Sequence, residues 1–206
     1  MSNQNRTFSG GVIDRNKTIN FIFNGKKYKG FQGDTLASAL LANDVHLVGR
    51  SFKYHRPRGI LTAGSEEPNA LIQLGIGART EPNIRATEIE LYEGLEAESQ
   101  NCWPSVDFDI GEANNLLSRL FPAGFYYKTF KWPPSLWLFY EHFIRKAAGL
   151  GESPKAKNPD RYEQRFHYCD VMIVGGGVSG LTAALAAARA KCDVLLVDEN
   201  PYFGGY

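Results

Sequence analysis

The first regular pattern along the chain has a period of two: Ile19, Phe21 and Phe23 share one face, with Asn20 and Ile22 between them. Asn24-Gly25 interrupts it, and a second extended run follows over residues 26–31. Alternation broken by Asn-Gly predicts a β-hairpin, because both central residues of a type I′ turn need positive φ. Asp34 is expected to cap the helix that follows. In that helix Leu36, Ala37, Leu40 and Leu41 form one apolar stripe. Short strands are expected at residues 70–74 and 88–91. Hairpin, helix and further strands in this order predict a small mixed sheet wrapped around one helix, the β-grasp arrangement.

The pattern then changes. Ten of the chain's 26 aromatic residues lie between Phe121 and Phe143, broken up by Pro122, Pro133 and Pro134. Residues 136–148 predict a helix that stops at Gly149-Leu150-Gly151. Such aromatic density predicts packing onto another domain or subunit, since large exposed apolar patches are uncommon on monomers. Residues 152–166 are polar and proline-containing, a linker by composition.

Beyond the linker, residues 170–174 are a short apolar run, as expected for a strand buried on both faces. It leads into Gly175-Gly176-Gly177-Val178-Ser179-Gly180, which satisfies G-x-G-x-x-G. Residues 181–190 are alanine-rich and helical by propensity. Residues 194–197 read as a second strand with Asp198 at its end, 23 residues after Gly175. That interval is near the roughly 20 residues of a dinucleotide-binding unit. The fold class is therefore α/β joined to α+β: a β-grasp domain over 15–98, an aromatic-rich helical connector over 99–166, and an incomplete Rossmann-type dinucleotide-binding domain from 167 to 206. A doubly wound sheet needs at least a third strand. The chain alone is accordingly expected to hold a cofactor poorly and to be inactive, whether it is a fragment or a truncated product.

Each part of the fingerprint has a physical role. Gly175 permits the tight turn, Gly177 lets the main chain approach a pyrophosphate, and Gly180 lets helix and strand pack closely. Gly176 completes the loop, and Ser179 lies in the first helical turn. Unpaired N–H groups there, with the helix dipole, favour a phosphate dianion. Asp198 suits an adenosine ribose and disfavours a 2′-phosphate, with Glu199 and Asn200 placed to share the ribose contacts. NAD or FAD is favoured over NADP.

Composition narrows the reading further. Lys+Arg 23 against Asp+Glu 22 leaves a net charge of +1, which gives no support to a nucleic-acid partner. Locally, residues 1–60 carry +7 and residues 61–120 carry −8. The cluster Lys53, His55, Arg56 and Arg58 therefore has two readings: a contact to phosphates or an acidic partner, or a loop paired with the domain's own acidic stretch. The three cysteines, Cys102, Cys169 and Cys192, have no metal-ligand spacing and read as small fillers in a reducing compartment. The four histidines share no ligand spacing. The first eleven residues are polar with no apolar core, so no secretory signal or membrane partner is expected and a cytoplasmic location is.

Several long segments carry a resemblance: Gly33-Asp34-Thr35-Leu36-Ala37-Ser38-Ala39-Leu40-Leu41, Arg50-Ser51-Phe52-Lys53-Tyr54-His55-Arg56-Pro57-Arg58-Gly59-Ile60, and Glu67-Pro68-Asn69-Ala70. It continues through Ser99-Gln100-Asn101, Pro122-Ala123-Gly124-Phe125-Tyr126-Tyr127-Lys128-Thr129-Phe130 and the glycine fingerprint. From Thr18 onward the chain resembles the alpha subunit of heterotetrameric sarcosine oxidase. The resemblance implies NAD on this subunit, at the glycines with Ser179, Asp198, Glu199 and Asn200. It implies as partners a flavin-bearing beta subunit, carrying FAD and FMN, and small subunits. Sarcosine would be demethylated on the beta subunit, with the methyl carbon passing to tetrahydrofolate and electrons to dioxygen. No catalytic residue falls on this chain.

The β-grasp part also resembles the [2Fe–2S] domain of related amine and proline dehydrogenase subunits, which carry a C-x4-C-x2-C run. By placement after Arg56-Pro57-Arg58-Gly59, the corresponding positions here are Thr62, Glu67 and Ala70. None supplies a thiolate, so no iron–sulfur cluster and no other metal is expected. Two other functions stay open: an FAD-binding alpha subunit of an amine, opine or proline dehydrogenase, and a non-enzymatic binding module.

Overall fold

The computed structural model describes residues 5–7, 9–116, 118, 132–147, 149, 151, 153–200 and 202–204. The aromatic run from Phe121 to Phe130, with Gly205 and Tyr206, lies outside the described residues. The chain forms two compact units, Met1–Pro159 and Asp160–Tyr206.

The first unit is built on the hairpin. β1 (Asp14–Phe23) pairs antiparallel with β2 (Lys26–Gln32), joined through Asn24 at φ 50° and Gly25 at φ 72°. Those two positive angles are the I′ geometry that Asn-Gly predicts. β1 runs parallel to β7 (Leu95–Ser99), which pairs with β5 (Leu71–Leu74), and β5 with β6 (Glu81–Arg85). The sheet order is β2-β1-β7-β5-β6. Phe21 and Phe23 turn inward from β1 against Leu36, Ala37 and Leu40 of α1 (Leu36–Ala42), with Val48, Ile72 and Leu95 closing the core.

Two local expectations are corrected. Thr35, not Asp34, caps α1: its hydroxyl accepts from the Ser38 N–H at 3.2 Å while Ser38 Oγ accepts from the Thr35 N–H at 3.0 Å. Asp34 turns inward because stronger donors compete for it. Its carboxylate takes both Arg6 guanidinium nitrogens, at 2.8 and 2.7 Å, and the Phe31 N–H at 2.9 Å. Charge-assisted, bidentate bonds outweigh an exposed cap. Residues 88–91 form no strand; they meet Thr35 through a single bridge at Glu90. Their main chain is spent on the helix start instead, with Leu36 N–H donating to Ile89 O at 2.8 Å and Leu91 N–H to Asp34 O at 2.8 Å.

A two-stranded ribbon, β3 (Gly49–Arg50) and β4 (Pro57–Arg58), carries the basic segment. The buried Arg50 donates to Val106 O at 2.8 Å, His55 O at 3.0 Å and Glu112 at 3.1 Å. His55 bonds the buried Asp109 through Nδ1, and Arg56 donates to Asn115 at 2.9 Å. His55 follows the second reading of the basic cluster, since it meets an acidic residue of its own unit, whereas Arg56 meets the neutral Asn115. Beyond a short turn of helix, α2 (Ala113–Leu116), lies α3 (Trp137–Ala147), one residue later at its start than expected because Pro134–Leu136 forms a 3₁₀ turn. Leu138, Phe139 and Phe143 on it are exposed. No helix among the described residues is long and apolar enough to cross a membrane.

The second unit is one β-α-β turn: β8 (Val171–Val174), α4 (Val178–Arg189) and β9 (Val194–Val197). The strands are parallel, with Val171 opposite Val194 and Val174 opposite Val197. The expectation of burial on both strand faces fails within this unit, where Met172 is 60% and Val174 75% exposed. The reason is geometric: α4 covers a single face.

Leu40 lies wholly inside the first unit's core. Leu40→Ala is expected to lower stability by about 3 kcal/mol through lost burial and the cavity left behind. Urea unfolding followed by circular dichroism measures it; a loss under about 0.5 kcal/mol, the range of surface changes, contradicts this packing.

Candidate functional site

The glycine loop sits where β8 passes into α4. Gly175 N–H donates to Val197 O at 2.8 Å, so the turn begins while the two strands are still paired. Gly175 itself has φ +102°, a conformation that side chains disfavour. Gly177 caps α4 with no side chain to accept from the first-turn amides. Those N–H groups point out of the helix with its positive dipole end. Ser179 lies exposed in this first turn.

The glycines differ in what the chain asks of them. A Cβ on Gly180 would stand 1.8 Å from Gly175 O, main-chain oxygen that cannot move aside. A Cβ on Gly176 would stand 2.2 Å from the Phe203 ring. At Gly177 a Cβ meets nothing within 4 Å among the described residues, and its φ is −70°. The described residues of this unit make no demand for glycine there.

Asp198 closes the loop from β9. Its carboxylate accepts the Gly176 N–H on one oxygen, and on the other the Asn200 main-chain N–H at 2.8 Å and side-chain amide at 3.0 Å. The Gly176 amide, then that of Asn200, hold the Asp198 carboxyl below the usual carboxylate range against the weaker opposite pull of burial. Glu199 and Asn200 are exposed beside it. The structure thus brings Gly175, Gly176, Gly177, Gly180 and Asp198 together around one loop, with Ser179, Glu199 and Asn200 at its rim. Sequence reasoning missed Phe203. The chain after β9 returns so that Gly204 N–H donates to Gly176 O at 2.8 Å and Gly204 bridges Gly177. An aromatic residue just before a glycine pair was the available signal.

Residues 16–102 match a family described as 2Fe-2S iron-sulfur cluster binding domain, and residues 170–206 match one described as FAD dependent oxidoreductase. Sarcosine oxidase subunit alpha of Rhizobium meliloti (strain 1021) is 60% identical over 95% of this chain. The chain is homologous to part of a sarcosine oxidase alpha subunit. The corresponding subunit of Corynebacterium sp. (strain U-96) is 32% identical over 96% of the chain. The chain spans 20% of the first relative's length and 16% of the second's. A solved structure, L-proline dehydrogenase from P. horikoshii, aligns with 21% identity and a TM-score of 0.43 over 93% of this chain and 26% of that one. The fold is a ferredoxin-like β-grasp unit followed by a Rossmann-like unit.

A [2Fe–2S] cluster takes four cysteine thiolates. The sequence holds three cysteines, and within residues 16–102 only Cys102. Burial raises the Cys102 thiol above its ordinary range, away from a ligating thiolate, with the Asp109 charge adding to the effect. The residues present do not fit the group.

Because the Asp198 pKa is depressed in the folded loop, its contribution to loop closure is complete above the ordinary aspartate range, about pH 4. It is lost as pH falls through the lower folded value. The Gly176 amide resonance is expected to shift in one step below about pH 4, and Asp198→Asn to abolish the step. A step centred at or above the ordinary aspartate value contradicts the hydrogen-bond geometry.

Proposed function

We propose that this chain is part of the alpha subunit of a sarcosine oxidase and that its glycine loop seats NAD. One observation carries the reading. Among the three fingerprint glycines, Gly177 alone is required neither by its φ nor by a described neighbour within 4 Å, so its glycine serves something that comes to the loop from outside. A pyrophosphate lying across the first turn of α4 is that something. It would accept from the main-chain amides of the turn, with the Ser179 hydroxyl in reach of the same oxygens. Asp198, held as a carboxylate, accepts ribose hydroxyls and repels a 2′-phosphate, and Glu199 and Asn200 extend the ribose side. FAD is the second reading, favoured by the description of the family that residues 170–206 match. Both share the adenosine diphosphate half, which is all this unit addresses.

In this reading the chain is an oxidoreductase component with no catalytic residue of its own. It comprises a β-grasp domain over 15–98, a connector over 99–166 and the start of the dinucleotide-binding domain from 167. The amine is oxidised on a flavin-bearing beta subunit within a cytoplasmic hetero-oligomer, and the methyl carbon goes to tetrahydrofolate. The exposed Leu138, Phe139 and Phe143 on α3 support a partner surface on the connector.

Extraction of the ligand from the full-length alpha subunit tests the choice of coenzyme: NAD is colourless in the visible, and a yellow extract overturns it in favour of FAD. Gly177→Val is expected to lower the NAD retained by the intact protein by about tenfold or more. The secondary structure seen by circular dichroism should not change, because the side chain enters open space. Undiminished NAD refutes the placement of the pyrophosphate.

A further inference from the structure

The loop that matches a cluster-binding family is closed around something else. Glu67 is 1% exposed, yet it is a carboxylate among main-chain groups. One oxygen accepts the N–H of Leu61 at 2.8 Å and of Thr62 at 2.6 Å, with the Thr62 hydroxyl at 3.3 Å. The other accepts the N–H of Asn69 at 2.7 Å and of Ala70 at 3.2 Å. Among the described residues no ion pair of Glu67 occurs. The Arg85 guanidinium donates to its main-chain oxygen at 3.1 Å, not to its carboxylate. The frame is fixed from outside: Thr87, 2% exposed, donates its hydroxyl to Gly64 O at 2.8 Å, and Ala86 N–H donates to Ala70 O at 2.9 Å.

Four convergent amides around a buried negative group form a main-chain anion nest, the device by which loops hold phosphates and iron–sulfur clusters. Three of the residues in the nest, Thr62, Glu67 and Ala70, are those that the resemblance places at the cluster-cysteine positions. A buried charge is tolerable only when hydrogen-bonded. These donors achieve that, and they keep the Glu67 carboxyl below the usual glutamate range although burial alone pushes it up. We propose that the Glu67 carboxylate is the resident anion of this nest, filling the cluster position from within the chain, so that the loop is folded by an internal ligand and takes up no iron–sulfur cluster. This inference is independent of the coenzyme assigned to the glycine loop.

The test uses the whole chain. Glu67→Ala vacates the seat but leaves its four donors, so its thermal midpoint should fall by more than about 4 °C. Sodium formate should then restore part of that loss saturably, while sodium chloride at equal ionic strength should not, and the wild type should respond to neither. Glu67→Gln, which keeps the volume and turns N–H donors on the amides, should be destabilised without rescue. A Glu67→Ala protein as stable as wild type, or one equally raised by chloride and formate, overturns the proposal. Two wild-type measurements decide the matter even if the variants do not fold. The amide hydrogens of Leu61, Thr62, Asn69 and Ala70 should exchange slowly, and anaerobic incubation with ferrous iron and sulfide should leave no bound iron. Rapid exchange at these amides, or a stoichiometric cluster, overturns it.

Discussion

A main chain that leaves a sheet must still find acceptors for its N–H groups, and in this protein carboxylates supply them. Glu67 gathers four loop amides. Asp109 takes those of Trp103 and Gly111 and meets His55, 54 residues away. Asp34 takes Phe31 and ties in Arg6, and Asp198 takes Gly176 and Asn200. Around Glu67, Asp109 and Asp198 a short segment with no regular pairing acquires one fixed shape, and Asp34 does the same where β2 ends. The bond is charge-assisted and therefore stronger than a neutral one. Where the carboxylate is buried, removing either partner would leave the other desolvated without a hydrogen bond, which costs more than the bond itself contributes. The acidic excess of residues 61–120 is thus partly an internal requirement of the fold.

What was legible in the sequence follows from how local the physics is. The hairpin could be read because alternation and Asn-Gly act within a few residues. The β-α-β unit could be read because strand, glycines, helix and acidic residue keep a fixed spacing. The cap of α1 lies one residue beyond the position the sequence suggests, because Arg6, far back in the chain, competes for Asp34. The segment 88–91 looked like a strand, yet its apolar residues enter the core from a loop whose main chain serves α1. Glu67 could not be read as the acceptor of four loop amides at all. Its neighbours donate through the main chain, which carries no mark of residue type. The resembling segments acquire physical content too: Arg50 binds three different stretches, and Asn101 donates back to Arg50 O at 3.1 Å.

The two units stand in opposite relations to a bound group. In the first, a nest of amides is already satisfied by the protein's own side chain, and its shape is maintained without any visitor. In the second, the helix start is left without a side-chain acceptor, and its donors are available to a ligand. The same chemical element, an N–H cluster presented by a turn, is sealed in one place and open in the other. Glutamate at the centre of the loop makes one sealed; glycine at the head of α4 leaves the other open.

The uneven demand on the glycines has a consequence for how such a chain would drift. Under a screen that scores only expression and folding, position 180 would stay fixed, since the main-chain Gly175 O leaves no room there, while a larger residue at 176 would have to displace the Phe203 ring. Position 177 would wander freely to serine, asparagine or aspartate, all favourable helix caps. On the proposed reading, any force that keeps it glycine in the whole protein would come from the coenzyme, and the identity of that one residue would record whether the seat is still in use.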